Sequence, residues 1–165
     1  MASRPSRAPG SAESPRWLSA DEEAAWRAFA TAAVKLPWAL ECQLQRDSGL
    51  SFIEYHVLAR LSEDPGHTLR MSTLADLTNA SLSRLSHLIK RLEGRGLVRR
   101  EPDPTDGRYT NAILTRAGYQ KLVATAPAHV EAVRALVIDS LTAQELGQLH
   151  AISERLCSGL ERRGE

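Results

Sequence analysis

At 165 residues, with 42% hydrophobic and 25% charged residues, the chain has the composition of one globular domain carrying an arm or an interface. No apolar run approaches the ~18 residues needed to span a bilayer, and the basic N-terminus has no apolar core behind it, so neither membrane insertion nor a secretory signal is expected, and the cytoplasm is the expected compartment. The net charge of +1 hides a segregation: residues 81–116 hold eight Lys/Arg against four Asp/Glu, while residues 17–80 hold five against nine. A basic stretch concentrated in this way attracts a polyanion locally.

Residues 1–16 are rich in Pro, Ser, Ala, Gly and Arg, with no apolar residue large enough to anchor them, and are expected to form a disordered tail. Ser19 and Glu22 then form a capping box. Trp26, Phe29, Ala30, Ala33, Leu36 and Leu40 follow at helical spacing, and Pro37 is expected to kink or interrupt that helix before Asp47-Ser48-Gly49 ends it. A second capping box, Ser51 with Glu54, opens a helix bearing Phe52, Tyr55, Val57, Leu58 and Leu61, which stops at Glu63-Asp64-Pro65-Gly66. Leu69–Met71 reads as a short edge strand and Ser72 to Thr78 as two helical turns. After the tight turn Asn79-Ala80, Ser81 caps a helix from Leu82 to about Arg95, closed by Gly96 as a left-handed stop. Two short helices joined by such a turn suggest a helix-turn-helix unit.

The two sides of the helix after Ser81 differ sharply. At about 100° per residue, Leu82, Leu85, Leu88, Ile89 and Leu92 share one side. Ser83, Ser86, His87 and Lys90 lie opposite, flanked by Arg84 and Arg91, with no acid before Glu93. A merely solvated face mixes both signs, because paired charges stabilise a helix slightly and like charges repel. An acid-free polar face suits phosphates and base edges, which present many acceptors.

Leu97–Glu101 reads as a strand, Pro102-Asp103-Pro104-Thr105-Asp106-Gly107 as a turn, and Arg108–Leu114 as the returning strand. Together they form a hairpin with Arg108 beside its tip, placed to enter a narrow minor groove, while Asp106 orients Arg108 or caps the turn. Thr115 caps a helix containing Tyr119, Leu122, Val123 and Ala126, interrupted at Pro127 and continued by Val130, Val133, Leu136, Val137 and Ile138. A third capping box, Thr142 with Glu145, precedes Leu146, Leu149, Ile152, Leu156 and Leu160.

The run LIKRLEGRGLVRREPDPTDGRYTNAILTRAG resembles the signature of the MarR family, the multiple-antibiotic-resistance-type regulators. The turn Leu92, Glu93, Gly96, Leu97, Val98 matches its first part, the wing residues Pro102, Asp103, Asp106 and Arg108 its second, and Leu114, Thr115 and Gly118 its third. The family commonly has two successive basic residues at the wing tip; here Gly107 replaces the first, which implies a weaker minor-groove grip.

The resemblance implies a mainly α fold with a small β wing: a winged helix-turn-helix plus N- and C-terminal dimerisation helices. The expected organisation is a tail over 1–16, an N-terminal dimerisation helix over 17–50, the winged domain over 51–115 and C-terminal dimerisation helices over 116–165. It also implies a regulator, a repressor by expectation, that binds a pseudo-palindromic DNA operator as a cytoplasmic, nucleoid-associated homodimer. Ser81, Ser83, Arg84, Ser86, His87, Lys90, Arg91 and Arg108 are the expected DNA contacts, with Asp106 supporting the wing. The family's effectors are small phenolic, aromatic or anionic compounds held between the winged domain and the dimer helices, where Trp26, Arg27, Tyr55, His56 and Arg60 fall, with Trp38 nearby in sequence.

Some relatives sense oxidants through a Cys near the first helix, but Cys42 has no resolving Cys or neighbouring base and is expected to be a buried, inert thiol. An enzyme is the alternative from another class. The five His residues do not repeat at metal spacing, and no phosphate loop, nucleophile elbow or zinc motif is present, so neither catalysis nor a cofactor is expected. A winged module used only for protein contacts is a further alternative, though it would not need an acid-free reading face.

Overall fold

The structure, a computed structural model, describes residues 15–164. Most of the expected tail therefore lies outside the described residues. The chain forms two compact units divided after Val34.

In the first unit, α1 (Ala20–Ser48) begins with the expected box: Ser19 N–H donates to Glu22 Oε2 at 2.8 Å, and Glu22 N–H to Ser19 Oγ at 3.3 Å. Asp21, Glu22 and Glu23 place three carboxylates at the positive end of the helix dipole. Trp26, Phe29 and Val34 are exposed along it. Of the expected kink or interruption at Pro37, the interruption does not occur: the helix runs through it to Ser48. The carbonyl that loses its partner belongs to Ala33, an exposed residue, so water can satisfy it.

The second unit, residues 35–165, holds the rest of α1 and a winged-helix body. Gly49 ends α1 at φ +64. Then come α2 (Phe52–Glu63), β1 (Thr68–Arg70), α3 (Met71–Leu77), α4 (Leu82–Gly94), β2 (Val98–Pro102), β3 (Thr110–Leu114) and α5 (Arg116–Leu136). A 3-10 turn at Ile138–Ser140 leads into α6 (Ala143–Gly164). The sheet is antiparallel with order β1-β3-β2, so β1 is an edge strand as expected, although it spans Thr68–Arg70 and Met71 already opens α3. Its register pairs Leu69 with Ala112 and Arg100 with Ala112 from the other side.

One core fills the space between α2, α3, α4 and the sheet. It is built from Leu50, Val57, Leu58 and Leu61, from Leu74 and Ala75, from Leu85, Leu88, Ile89 and Leu92, and from Val98, Ala112 and Leu114. Leu122 ties α5 to it. Leu82 departs from the expected apolar face: it is 57% exposed. As the first residue of α4 it projects past the end of the core and into the cleft beside the hairpin.

Cys42 also departs from expectation, since it is exposed rather than buried. Leu40 and Leu44 point into the body, and Cys42 lies about 200° around the helix from each. Cys157 is exposed as well, and both thiols are free. The last two helices leave large apolar residues uncovered, among them Val123, Val130 and Leu136 on α5 and Leu149, Ile152, Leu156 and Leu160 on α6. No described helix is long and apolar enough to cross a membrane.

Candidate nucleic-acid interface

The site is built on α4. Ser81 sits in extended backbone (φ −65, ψ 148), and its Oγ accepts the Arg84 N–H at 3.3 Å. That cap fixes where the helix starts, and Gly96 at φ +71 fixes where it ends. Leu85, Leu88, Ile89 and Leu92 anchor the inner side, which leaves Ser81, Ser83, Arg84, His87, Lys90 and Arg91 exposed and Ser86 half-buried. The first turn has no acidic residue, in contrast to α1 and α2. The positive end of this helix is therefore left open to an anion from outside.

Pairing separates the cations. Among the described residues, Arg84 and Lys90 have no carboxylate partner within ion-pair distance. Arg91 Nε lies 3.5 Å from Glu54 Oε1. The far end of α4 is fastened to β2 by Arg100, whose Nε and Nη2 reach Glu93 Oε2 at 3.1 and 2.7 Å while its N–H donates to Glu93 Oε1 at 3.2 Å. The Arg100 guanidinium holds the Glu93 carboxyl below its ordinary range.

The hairpin is an organised wing. Asp106 accepts the Arg108 N–H at 3.1 Å and grips its guanidinium through Nε at 3.0 Å and Nη2 at 2.7 Å. The Arg108 side chain is nonetheless 84% exposed, so it is aimed rather than hidden. The same hydrogen bonds lower the Asp106 carboxyl's affinity for a proton and raise the Arg108 guanidinium's.

Behind that pair lies a lock which sequence reasoning missed. Asp103 is 8% exposed. Its Oδ1 accepts from Thr105 Oγ1 at 2.6 Å, Thr105 N–H at 2.9 Å and Asp106 N–H at 3.3 Å. Its Oδ2 accepts from Arg70 Nε at 2.9 Å and Asn111 Nδ2 at 3.5 Å. The Arg70 guanidinium also lies 4.6 Å above the Tyr109 ring, a cation–π contact. The Thr105 hydroxyl, then the Thr105 N–H, then Arg70 hold the Asp103 carboxyl far below the usual carboxylate range, against burial.

Two grooves flank α4. A cleft of about 370 Å³ separates it from the wing, with Leu82 and Ser86 on one wall and Arg70, Arg108 and Tyr109 on the other. A groove of about 490 Å³ on the opposite flank is edged by Arg84, His87 and Arg91 and floored by Ile53 and Leu88. Of the expected DNA contacts, Arg84, His87 and Arg91 thus border one groove, Ser86 and Arg108 border the wing cleft, and Ser81, Ser83 and Lys90 line neither.

Of the residues expected at an effector site, Tyr55, His56 and Arg60 share α2. Tyr55 and His56 lie together on α2, with the His129 ring of α5 centred 4.4 Å from that of Tyr55. His129 Nδ1 is 3.1 Å from Gln43 Oε1, and burial lowers the basicity of both His56 and His129. Arg60 pairs with Glu63 at 2.9 Å. Trp26 and Arg27 belong to the first unit, where Arg27 pairs with Glu23. Trp38 is 70% exposed. His129 and Gln43 went unnoticed in the sequence because no local spacing links them to α2.

The MarR family model matches residues 48–108, the span that contains α2, α4 and most of the wing. The chain is 30% identical over 110 residues to the transcriptional regulator HosA of Escherichia coli O111:H-, covering 67% of this chain and 73% of that one. It is 32% identical over 110 residues to an HTH-type transcriptional repressor of Mycobacterium tuberculosis, covering 67% of this chain and 77% of that protein. Among solved structures, Sco3205, a MarR family transcriptional regulator from Streptomyces coelicolor in complex with DNA, superimposes with a TM-score of 0.86 at 45% identity, covering 90% of this chain and 92% of that one. AbsC, a MarR family transcriptional regulator of the same organism, gives 0.85 at 40% identity, covering 92% and 100%. With a winged body of this geometry and relatives at these identities, the chain belongs to the MarR family of transcriptional regulators.

Proposed function

We propose that this regulator binds a pseudo-palindromic DNA duplex as a homodimer and acts as a repressor from the cytoplasm, associated with the nucleoid. Each protomer lays α4 in a major groove and sets Arg108 in the adjacent minor groove. The observation that carries this reading is the exposed, acid-free side of α4, with Arg84 and Lys90 unpaired among the described residues and an aimed arginine on the wing alongside. The crystal structure of Sco3205 with DNA, at 45% identity, supports it. Ser81, Ser83, Ser86 and His87 reach base edges, while Arg84, Lys90, Arg91 and Arg108 supply groove and phosphate electrostatics, and Arg84 also reads a base.

The uncovered apolar residues of α5 and α6 support self-association, since amphipathic helices of this length need cover. Two-fold pairing would set the reading helices about 34–36 Å apart, one DNA turn. A small phenolic or other aromatic or anionic effector, met by Tyr55, His56 and Arg60 on α2, would favour a dimer in which that spacing is wrong. It must bind the two forms unequally to do so.

Two substitutions test the reading face, with titrations on a duplex selected by the wild-type protein. Lys90→Ala is expected to weaken binding alike on all sequences and to reduce the slope of log affinity against log salt by about 1. Arg84→Ala is expected to cost about 1–3 kcal/mol of binding and to relax discrimination at one position of each half-site. Wild-type behaviour from both variants contradicts the assignment.

A further inference from the structure

Glu54 does more than its place in a capping box requires. It is 6% exposed, on the first turn of α2. Its Oε2 accepts the Ser51 N–H at 2.9 Å and lies 3.4 Å from Arg95 Nη1, and its Oε1 lies 3.5 Å from Arg91 Nε. A cap needs an acceptor, which Gln supplies as well as Glu. A buried negative charge facing two arginines of another element is additional. The same turn of α2 is held from its other side by α1, where the Glu41 carboxylate accepts the Phe52 N–H and takes the Gln45 amide at 3.0 Å.

Arg91 is the informative partner. It stands at the edge of the reading face with its side chain 63% exposed, and its contact with Glu54 is through Nε, the nitrogen nearest the stem. The two terminal nitrogens remain for an end-on forked contact with a phosphate. A shielded carboxylate 3.5 Å from the inner nitrogen of an exposed arginine biases its rotamers by charge while leaving its terminal donors in solution. Because Glu54 is buried, salt screens that attraction less than it screens surface pairs.

We propose that Glu54 is a positioning residue for DNA binding: from α2 it fixes the Arg91 guanidinium at the flank of α4 in the pose that meets a DNA phosphate. The proposal rests on the DNA-binding reading above. It makes α2 part of the reading apparatus.

The test is a double-mutant cycle on the full chain, read by fluorescence anisotropy on a duplex selected by the wild-type protein. Glu54→Gln keeps the cap and is expected to melt within a few degrees of wild type. It is expected to lower affinity about tenfold, as is Arg91→Ala, and the double variant is expected to lose no more than either single one. Glu54→Asp keeps the charge but shortens the reach, and is expected to fall with Glu54→Gln; it serves in its place if that variant does not fold. In DNA-free protein, the Arg91 side-chain Nε–H signal is expected to be ordered in wild type and averaged in Glu54→Gln.

Losses that multiply in the double variant overturn the proposal. So does tighter binding by Glu54→Gln, which would mean that Glu54 withholds Arg91 from DNA, and so does an unchanged Arg91 signal. A wild-type protein that binds no duplex overturns the DNA-binding reading itself. That outcome is distinct from wild-type binding with an additive cycle, which removes only the role of Glu54.

Discussion

Gly118→Ala is expected to destabilise the protein by about 3 kcal/mol, the upper end for forcing one extra carbon into a packed site. On an open helix the same change would stabilise by about 1 kcal/mol, so the sign alone separates the two situations. Gly118 lies in the first turn of α5, and its N–H donates to the capping Thr115 Oγ1 at 3.0 Å. A Cβ there would run into the Leu97 carbonyl oxygen and come within 2.7 Å of Leu114 Cδ1. The carbonyl cannot retreat freely, because it also accepts the Thr115 N–H at 3.1 Å. The glycine is required by the close approach of α5 to the start of β2, and not by any unusual φ. Urea unfolding checks this: a midpoint lowered at unchanged slope is expected, and a midpoint equal to or above wild type contradicts the packing account.

The second large effect is expected at Asp103, and it should appear in binding more than in folding. Asp103→Ala removes the acceptor for Thr105, Asp106, Arg70 and Asn111 together, and Asn111 already has a buried Oδ1 without a partner. The turn that presents Arg108 then loses its internal fastening, and the Arg70–Tyr109 stack loses its anchor. An affinity loss of about ten- to a hundredfold is expected, equivalent to losing one good groove contact. Combined with Arg108→Ala the loss should not grow, because both act through the same guanidinium. Full additivity in an anisotropy titration would show that Asp103 does not work through Arg108.

The sign of the pH effect follows from the same hydrogen bonds. The Asp103 carboxyl is held below its ordinary range in the folded chain, so its contribution is present in full above the unfolded carboxylate range and is lost only as pH falls below it. The wing should therefore stay locked across the neutral range.

Much of the fold was legible because its signals are local. The boxes at Ser19, Ser51 and Thr142 and the caps at Ser81 and Thr115 place side-chain oxygens three residues from the amides they satisfy, and that geometry can be read in any window of four residues. The apolar side of α4 follows from helical period alone, and the Asp106–Arg108 fork spans two residues. What escaped depends on pairings across the fold. Arg70 and Asp103 are 33 residues apart and meet only because β1 and β2 both pair with β3. Glu54 and Arg95 are separated by 41 residues and meet because α2 packs beside the end of α4. Leu82 and Cys42 were misplaced for a related reason: period assigns a side of a helix, but whether that side is covered depends on where the neighbouring elements stop.

Selection from a pool of random DNA with purified full-length protein, sequenced after several rounds at low salt, tests the central claim most directly. The account predicts enrichment of an inverted repeat whose half-sites are centred about 10–10.5 base pairs apart. Recovery of a pool no different from the input, under conditions where phosphate contacts are strongest, would contradict it.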